Sequence, residues 1–297
     1  MSTVENLHKA RKNKYDEFYT PMVEIEQEIP NYDLKGLTVY MPCDDYRYSN
    51  FWEYFYTNFK ALGLSRIIAT SYDAGEGAFC TEYDGFTLSI VPLQDNGDFR
   101  SLECTKIRNR ADVVITNPPF SLFKEFVEWL DGKSFLIIGN KSAFTYRNVI
   151  TKVMDAKLWS GCRPFTGDMW FTDINGDMVN IAGCWFTNLD HHKRHEVFDS
   201  SKTYCDGEYR KYDNSDAIEV PSLKQIPMDY EGIMGVPVTF LYKWNPDQYS
   251  IVGYLYGDDG KHLKMDGKEV FFRLLIQLKN VKKTYSFVGG NVYFNHN

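Results

Sequence analysis

Long apolar runs are absent from this sequence of 297 residues. No stretch approaches the roughly 20 apolar residues that a membrane-spanning helix requires, and the polar, charged N-terminal segment lacks the apolar core of a secretory signal. These absences argue against a membrane protein and lead us to expect a cytoplasmic one. A hydrophobic fraction of 43% is nevertheless enough to fill the core of one large domain or two modest ones.

Paired cysteines are absent as well. The sequence has six cysteines and no CxxC spacing, whereas zinc sites and disulfide frameworks place their cysteines in regular patterns. We therefore expect reduced, mostly buried thiols and no metal site. These cysteines are Cys43, Cys80, Cys104, Cys162, Cys184 and Cys205.

Positive charge is in short supply, since the formal net charge is -7. An acidic total argues against a polyanionic partner, but phosphate is bound by local patches and not by the whole surface. Residues 1–14 form one such patch, which is either a solvated terminus or a basic arm that contacts DNA phosphates. Its cations are Lys9, Arg11, Lys12 and Lys14. Aromatic residues make up 16% of the chain, and surface ones would be able to stack on unpaired bases.

Apolar strands and amphipathic helices alternate between residues 35 and 160. The predicted strands are 37–41, 66–71, 112–116 and 135–138, and the predicted helices are 22–29, 50–62, 101–110, 121–130 and 146–157. Two alternating runs, 79–83 and 86–91, are joined by Asp84-Gly85 and predict a hairpin. Strands joined by helices at this spacing favour right-handed parallel crossovers. We therefore predict a doubly wound, Rossmann-like α/β core.

The pattern changes after residue 160. Short runs typical of strands are separated by turns such as Asn175-Gly176, with few helical stripes. The predicted strands are 169–172, 178–181, 184–187, 235–242, 249–256 and 270–278. The chain is thus divided into an N-terminal arm (1–34), a catalytic α/β domain (35–160) and a β-rich C-terminal region (161–297).

The segment from His191 to His195 contains three histidines and two cations. Three interpretations remain: a metal site, a loop that meets phosphates or bases, and a solvated loop. The metal site is disfavoured because no carboxylate or cysteine is placed to complete it in a defined element.

The motif Asn117-Pro118-Pro119-Phe120 follows the strand predicted at 112–116. Neither proline can donate to a sheet ladder, so Asn117 lies at the carboxyl end of the strand, where open α/β sheets bind ligands. The Asn117 side-chain oxygen and the Pro118 carbonyl would accept both N–H bonds of an adenine amino group, while Phe120 stacks on the base. The structural alternative is a simple turn, since Asn-Pro-Pro also starts turns.

Several motifs occur in a characteristic order. They are Asp16 to Pro21 (Asp-Glu-Phe-Tyr-Thr-Pro), Cys43-Asp44-Asp45, Gly97 to Ser101, Thr116 to Lys124, Met234 to Pro237 and Thr239 to Leu241. Together they resemble the S-adenosylmethionine-dependent DNA adenine-N6 methyltransferases, and the EcoRI-type modification methyltransferases in particular. The resemblance covers nearly the whole chain.

The resemblance implies transfer of a methyl group from S-adenosylmethionine to N6 of an adenine flipped out of double-stranded DNA. It assigns catalysis to Asn117, Pro118, Pro119 and Phe120. It assigns cofactor binding to Phe18, Tyr19, Thr20 and Pro21 at the methionine end, to Cys43, Asp44 and Asp73 near methionine and ribose, and to Asp98 and Phe99 at the adenine. The start of the helix at 22–29, with Pro21 as its first residue, would provide N–H groups for the cofactor carboxylate.

The same resemblance implies a bacterial or phage-encoded protein with a target-recognition function in residues 161–297. DNA contacts are expected from Lys9, Arg11, Lys12, Lys14, His192, Lys193 and Arg194. A cognate restriction endonuclease would share the DNA site without binding the protein.

Two departures from the pattern stand out. The glycine-rich loop usual after the first strand of methyltransferases is missing from Met41 to Asp45, an oddity that the EcoRI-type family shares, and the acidic residue equated with Asp73 varies among such proteins. Four alternatives stay open: an RNA adenine, a protein glutamine amide or an exocyclic cytosine amine as acceptor, and a non-catalytic DNA-binding relative.

Overall fold

The computed structural model describes residues 18–73, 77–165, 167, 169–173, 176–279, 285–288 and 291–294. The chain divides into two compact units, Met1–His192 and Lys193–Asn297. None of the helices within the described ranges is long and apolar enough to cross a membrane. The basic segment 1–14, together with Asp16 and Glu17, lies outside the described residues.

The first unit is built on an eight-stranded sheet. The strands of this unit are β1 (Thr38–Met41), β2 (Arg66–Thr70), β3 (Phe79–Tyr83), β4 (Leu88–Pro92), β5 (Val113–Thr116), β6 (Ser134–Asn140), β7 (Trp159–Ser160), β8 (Met169–Thr172), β9 (Met178–Ile181) and β10 (Gly183–Thr187). The sheet order is β4-β3-β2-β1-β5-β6-β10-β7, and β8 and β9 form a separate hairpin.

The centre of this sheet is parallel and its edges are antiparallel. Strands β2, β1, β5 and β6 run parallel, with Val39 of β1 opposite Ile67 of β2 and Val113 of β5. The predicted hairpin is confirmed as β3 and β4, which extend one edge. Strands β10 and β7 extend the other edge. The mixed α/β class with a large central sheet is therefore confirmed.

The helices of the first unit fall where the amphipathic stripes predict them, with shorter bounds. They are α1 (Met22–Glu28), α2 (Asn50–Thr57), α3 (Leu102–Arg110), α4 (Phe123–Trp129) and α5 (Arg147–Met154). Helix α2 starts because the Ser49 hydroxyl accepts from the Trp52 N–H. It ends at Thr57, before the predicted residue 62, and the side chain of the C-cap residue Asn58 donates to the Tyr54 carbonyl.

Both faces of the central sheet are buried. On one face, Met41 of β1 and Ile115 of β5 belong to the same core cluster as Phe55 of α2. On the other face, the ring of Tyr40 lies 6.5 Å from that of Trp129 at the end of α4. Burial on both faces explains why the parallel strands are continuous apolar runs in the sequence, without polar alternation.

The first unit extends beyond the boundary predicted at residue 160. Strand β10 pairs with β6 over its whole length, from Gly183 opposite Asn140 to Thr187 opposite Leu136, so the units divide between His192 and Lys193. The sheet continues past residue 160 through the antiparallel strand β10. The sequence does not reveal this, because the alternation of strands and helices ends before β10. The hairpin of β8 and β9 is joined to the N-terminal motif, which is the segment Asp16 to Pro21, by backbone pairing of Tyr19 with Thr172.

The second unit is β-rich, as expected for the C-terminal region. Its strands are β11 (Lys211–Tyr212), β12 (Ser215–Glu219), β13 (Ile233–Pro237), β14 (Tyr249–Tyr254), β15 (Lys264–Met265), β16 (Lys268–Glu269), β17 (Arg273–Leu278), β18 (Tyr285–Val288) and β19 (Asn291–Phe294). A five-stranded sheet has the order β11-β12-β13-β17-β14. The strand predicted at 235–242 instead ends at Pro237, which cannot continue a sheet ladder, and a 3-10 turn, Val238–Lys243, follows.

Candidate functional site

A cavity opens at the carboxyl ends of three neighbouring parallel strands. Cys43 and Asp44 follow β1, Tyr72 follows β2, and Asn117 and Pro118 follow β5, and all five line the cavity. Ligands of open α/β sheets bind at this edge because the loops that leave adjacent strands meet there.

Most of the site residues predicted from the sequence lie around this cavity. Those that line it are Phe18, Tyr19, Thr20, Cys43, Asp44, Asp98, Phe99, Asn117, Pro118 and Pro119. Pro21, Asp73 and Phe120 are not among its lining residues. The lining residues that the sequence reasoning missed include Tyr48, Ser49, Asn50, Tyr72 and Arg100.

Asn117 has a fixed amide orientation. Its side-chain Nδ2 donates to the carbonyl of Phe18, a residue of the N-terminal motif, over 2.6 Å, and this hydrogen bond orients the amide. Its Oδ1 is buried and has no hydrogen-bond partner among the described residues. Because a buried acceptor without a donor is costly, Oδ1 is suited to receive an N–H group from a ligand.

Phe120 packs beside the site. Its ring centroid lies 5.6 Å from that of Phe18 and 6.0 Å from that of Phe171 on β8. Phe18 also contacts Phe171 at 6.1 Å, so the three rings form one cluster. In this cluster Phe18 is the ring that reaches the cavity lining. Phe171 carried no signal in the sequence, because its strand is distant from the Asn-Pro-Pro-Phe motif along the chain.

Asp44 is a buried carboxylate held by two hydroxyl groups. Ser49 Oγ donates to Oδ1 over 2.6 Å, and Thr116 Oγ1 donates to Oδ2 over 2.7 Å. Burial raises the pKa of Asp44 to about 6, although both hydroxyl donors act in the opposite direction. Burial also raises the pKa of the neighbouring Cys43 thiol well above its usual range, so Cys43 is not a thiolate nucleophile at neutral pH.

The N-terminal motif contributes a second buried polar atom without a partner. Thr20 is 4% exposed, and its Oγ1 has no hydrogen-bond partner within the described ranges. The side chain of Asn50 donates to the Thr20 carbonyl over 2.8 Å. Pro21 precedes α1 as its N-cap and does not line the cavity. The helix start that lines the cavity is that of α2, through Asn50 and Phe51, and not the one expected after Pro21.

The loop before α3 closes another side of the cavity. Gly97 has a φ of +76°, and a Cβ there would lie 1.9 Å from the Ser71 carbonyl oxygen, so only glycine fits. Asp98 pairs with Arg100 over 2.6 Å, and this hydrogen bond lowers the pKa of Asp98. Asp73 donates its backbone N–H to Asn96, while its neighbour Tyr72 lines the cavity.

The predicted DNA contacts are placed only in part. The cations of the segment 1–14 lie outside the described residues. His192 is exposed and begins a 3-10 turn, His192–His195, that continues through Lys193 and Arg194. Lys193 pairs with Glu196 over 2.9 Å. A role of these residues in DNA binding stays a prediction.

Comparison with known proteins gives concordant matches. Residues 6–87 and 80–291 match the family model "Adenine-specific methyltransferase EcoRI". The Type II methyltransferase M.EcoRI of Escherichia coli is 39% identical, over 95% of this chain and 99% of its own length. M.MgeORF184P of Mycoplasma genitalium is 36% identical (85% and 87%), and M.MpnI of Mycoplasma pneumoniae is 34% identical (84% and 85%); both are named Type II methyltransferases. No solved structure matches the chain significantly.

A central sheet whose carboxyl edge carries Asn-Pro-Pro-Phe, together with these matches, defines an enzyme of the DNA methyltransferase class. The chain belongs to the EcoRI family of adenine-specific methyltransferases.

Proposed function

We propose that the protein transfers a methyl group from S-adenosylmethionine to the N6 amino group of an adenine flipped out of double-stranded DNA. The observation that carries this proposal is Asn117, whose amide nitrogen is held by the Phe18 carbonyl while its buried oxygen receives no hydrogen bond from the described residues. An exocyclic amine supplies that donor. Extruding the base from the duplex costs a few kcal/mol, which contacts in the pocket must offset.

Asn117 and Pro118 would activate the amine without removing a proton from it. Asn117 Oδ1 and the Pro118 carbonyl each accept one N–H bond, which turns the nitrogen lone pair out of conjugation with the ring. When bound, the cofactor supplies an electrophilic methyl group on a positively charged sulfur. Neither acceptor is a strong base, so the proton of the methylated amine leaves to water after transfer.

The aromatic cluster would hold the flipped base. Phe120 packs against Phe18 and Phe171, and Phe18 reaches the cavity lining. We assign base stacking to this cluster, with Phe120 as its motif residue. Rings that already pack on one another would lose little side-chain entropy when a base binds.

The cavity has groups that suit each end of S-adenosylmethionine. The unpartnered Thr20 hydroxyl and the start of α2 suit its carboxylate, Asp44 suits a positively charged group, and Phe99 suits its adenine. In this proposal the first unit is a Rossmann-like cofactor-binding core, and the second unit reads the DNA sequence. A cognate restriction endonuclease would act on the same DNA site without binding this protein.

Transfer of labelled methyl groups from S-adenosylmethionine to mixed-sequence duplex DNA tests the proposal. Wild type should yield N6-methyladenine, and Asn117→Ala should reduce transfer by at least about 100-fold, the effect of losing a positioned catalytic group. Cofactor binding by calorimetry and the melting temperature of Asn117→Ala should stay close to wild type. Label in cytosine of the duplex would overturn the assignment, and so would label in RNA or a glutamine amide in parallel assays, with none in adenine of duplex DNA.

A further inference from the structure

Three buried polar side chains join two strand ends and one helix start. Asp44 follows β1, Thr116 is the last residue of β5, and Ser49 caps α2. The two hydroxyl groups donate to different oxygens of the Asp44 carboxylate, over 2.6 Å and 2.7 Å. Asp44 is 7% exposed and Thr116 is fully buried, so the Thr116 hydroxyl bond is shielded from water.

The Asp44 carboxylate has no ion-pair partner in the part of the chain that the structure describes. The two arginines closest to the cavity are paired with other carboxylates: Arg47 with Asp45, and Arg100 with Asp98. A buried carboxylate that is held by hydroxyl groups alone retains most of its negative charge for a ligand. Because Asp44 lines the cavity, a cation bound there would supply the missing counter-charge.

Thr116 connects this carboxylate to the methyl acceptor site. It is adjacent in sequence to Asn117, the residue with the buried unpartnered oxygen. The backbone of Thr116 is fixed by pairing of β5 with β6, where Thr116 lies opposite Ile137. Its hydroxyl group donates to Asp44 and also hydrogen-bonds with the neighbouring Cys43 thiol.

We propose that Thr116 is a positioning residue, whose hydroxyl group aims the Asp44 carboxylate at a cationic group of the methyl donor and ties this contact to the strand end that carries Asn117. The inference rests on the proposed function, since it takes the donor to be S-adenosylmethionine. That molecule offers two cations, an ammonium group and a sulfonium group, and either suits a carboxylate.

Other titratable groups around Asp44 do not blur its titration near neutral pH. The adjacent Cys43 thiol has a raised pKa because it is buried. Asp98, on the loop before α3, has a pKa lowered by the hydrogen bond from Arg100. Burial alone would raise the pKa of Asp45, but hydrogen bonds from Arg47 outweigh this effect and lower it. Burial leaves Asp44 with a pKa of about 6.

Calorimetric titration of S-adenosylmethionine into wild type, Thr116→Val and Thr116→Ser at several pH values tests the inference. Valine has the shape of threonine and suits a buried strand, so folding is expected to be retained. In wild type the affinity should fall as the pH drops through the pKa of Asp44. Thr116→Val should bind about tenfold more weakly at pH 8, as expected for one lost charge-assisted hydrogen bond, and its midpoint should move to higher pH. Thr116→Ser should restore both values.

The matched control is Thr187→Val. Thr187 is an equally buried threonine whose hydroxyl donates to the Phe135 carbonyl, on a strand that does not line the cavity. This variant should leave both the affinity and the pH midpoint unchanged. Repeating the titration with S-adenosylhomocysteine, which keeps the ammonium but has a neutral sulfur, separates the two cations. Equal weakening of both ligands by Thr116→Val identifies the ammonium, and weakening of S-adenosylmethionine alone identifies the sulfonium.

The outcomes separate this inference from the proposed function. If the wild type binds S-adenosylmethionine and Thr116→Val does not move the pH midpoint, the role of Thr116 is overturned and the proposed function stays intact. If Thr116→Ser binds S-adenosylmethionine as weakly as Thr116→Val does, the role of Thr116 is also overturned, because the shape of the side chain and not its hydroxyl group would then determine the affinity. Wild type that binds no S-adenosylmethionine at any pH overturns both.

Discussion

Replacing Asp44 with asparagine should make the ligand-free protein more stable at neutral pH and weaken its binding of the methyl donor. Burial raises the pKa of Asp44 from 3.8 to about 6. The folded state therefore favours the protonated carboxyl group. The stabilising contribution of that proton is fully present below the unfolded value of 3.8 and is lost as the pH rises through about 6.

The size of the effect follows from the raised pKa. A difference of one unit in pKa between the folded and unfolded states corresponds to about 1.4 kcal/mol. Because the pKa of Asp44 rises from 3.8 to about 6, ionised Asp44 lowers the free energy of unfolding by about 3 kcal/mol above pH 7. An asparagine amide has the same shape without the charge, and the Ser49 or Thr116 hydroxyl can rotate to accept from its NH₂ group. Because these neutral hydrogen bonds are weaker than those to a carboxylate, we expect Asp44→Asn to be more stable by about 1 to 3 kcal/mol.

Scanning calorimetry of the ligand-free proteins between about pH 4.5 and 8.5 measures this difference. The gain in Asp44→Asn should be largest at high pH and should shrink below pH 6, and its affinity for S-adenosylmethionine should fall by at least about tenfold. The matched control is Asp98→Asn, which removes a carboxylate paired with Arg100. Since this pairing lowers the pKa of Asp98, the control should lose about 0.5 to 1 kcal/mol at pH 8. Equal destabilisation of Asp44→Asn at pH 5 and pH 8 would refute the reasoning.

Two further predictions concern a glycine and the N-terminal cations. Gly97→Ala should lower the free energy of unfolding by at least about 2 kcal/mol, because its Cβ would lie 1.9 Å from the Ser71 carbonyl oxygen. Gly36 has a φ of +77°, but an added Cβ there would meet no heavy atom within 4 Å, so Gly36→Ala should cost only about 1 kcal/mol. Urea denaturation compares the two. Replacing the cations in segment 1–14 with glutamine should weaken DNA binding and reduce the slope of log affinity against log salt concentration by up to about four. Fluorescence anisotropy measures this slope, and an unchanged slope would identify a solvated terminus. The residues changed are Lys9, Arg11, Lys12 and Lys14.

The sequence predicted the part of the site that depends on local pattern. Apolar runs that are bounded by prolines or acidic residues identify parallel strands and their carboxyl ends, which is why Asn117 and Asp44 were both placed at the edge where the cavity lies. Local pattern also predicted the hairpin of β3 and β4, because Asp84-Gly85 has the backbone freedom that a tight turn requires.

Contacts between distant segments were beyond sequence reasoning. The bond from Thr116 to Asp44 joins residues 72 positions apart. The packing of Phe171 on Phe120 joins strand β8 to the turn that follows β5. Neither contact leaves a periodic signal, since each depends on how the sheet places its strands. The return of β10 to the central sheet was missed for the same reason, because an antiparallel strand added to this sheet has the same composition as a strand of a separate β-rich region.

Within the described part of the chain, the cavity contains an amide oxygen without a donor and a carboxylate without a counter-charge, and their difference fits the proposed chemistry. Asn117 Oδ1 is a neutral acceptor, and Asp44 is an anion held by hydroxyl groups. A neutral acceptor can draw on the N–H bonds of an amine without taking its proton, whereas a carboxylate suits a ligand that carries a positive charge. Exchanging the two would place a base at the amine and leave the cation without its counter-charge. The strain of keeping both groups buried before ligands bind is thus the cost of a site that is arranged in advance for an amine and a cationic methyl donor.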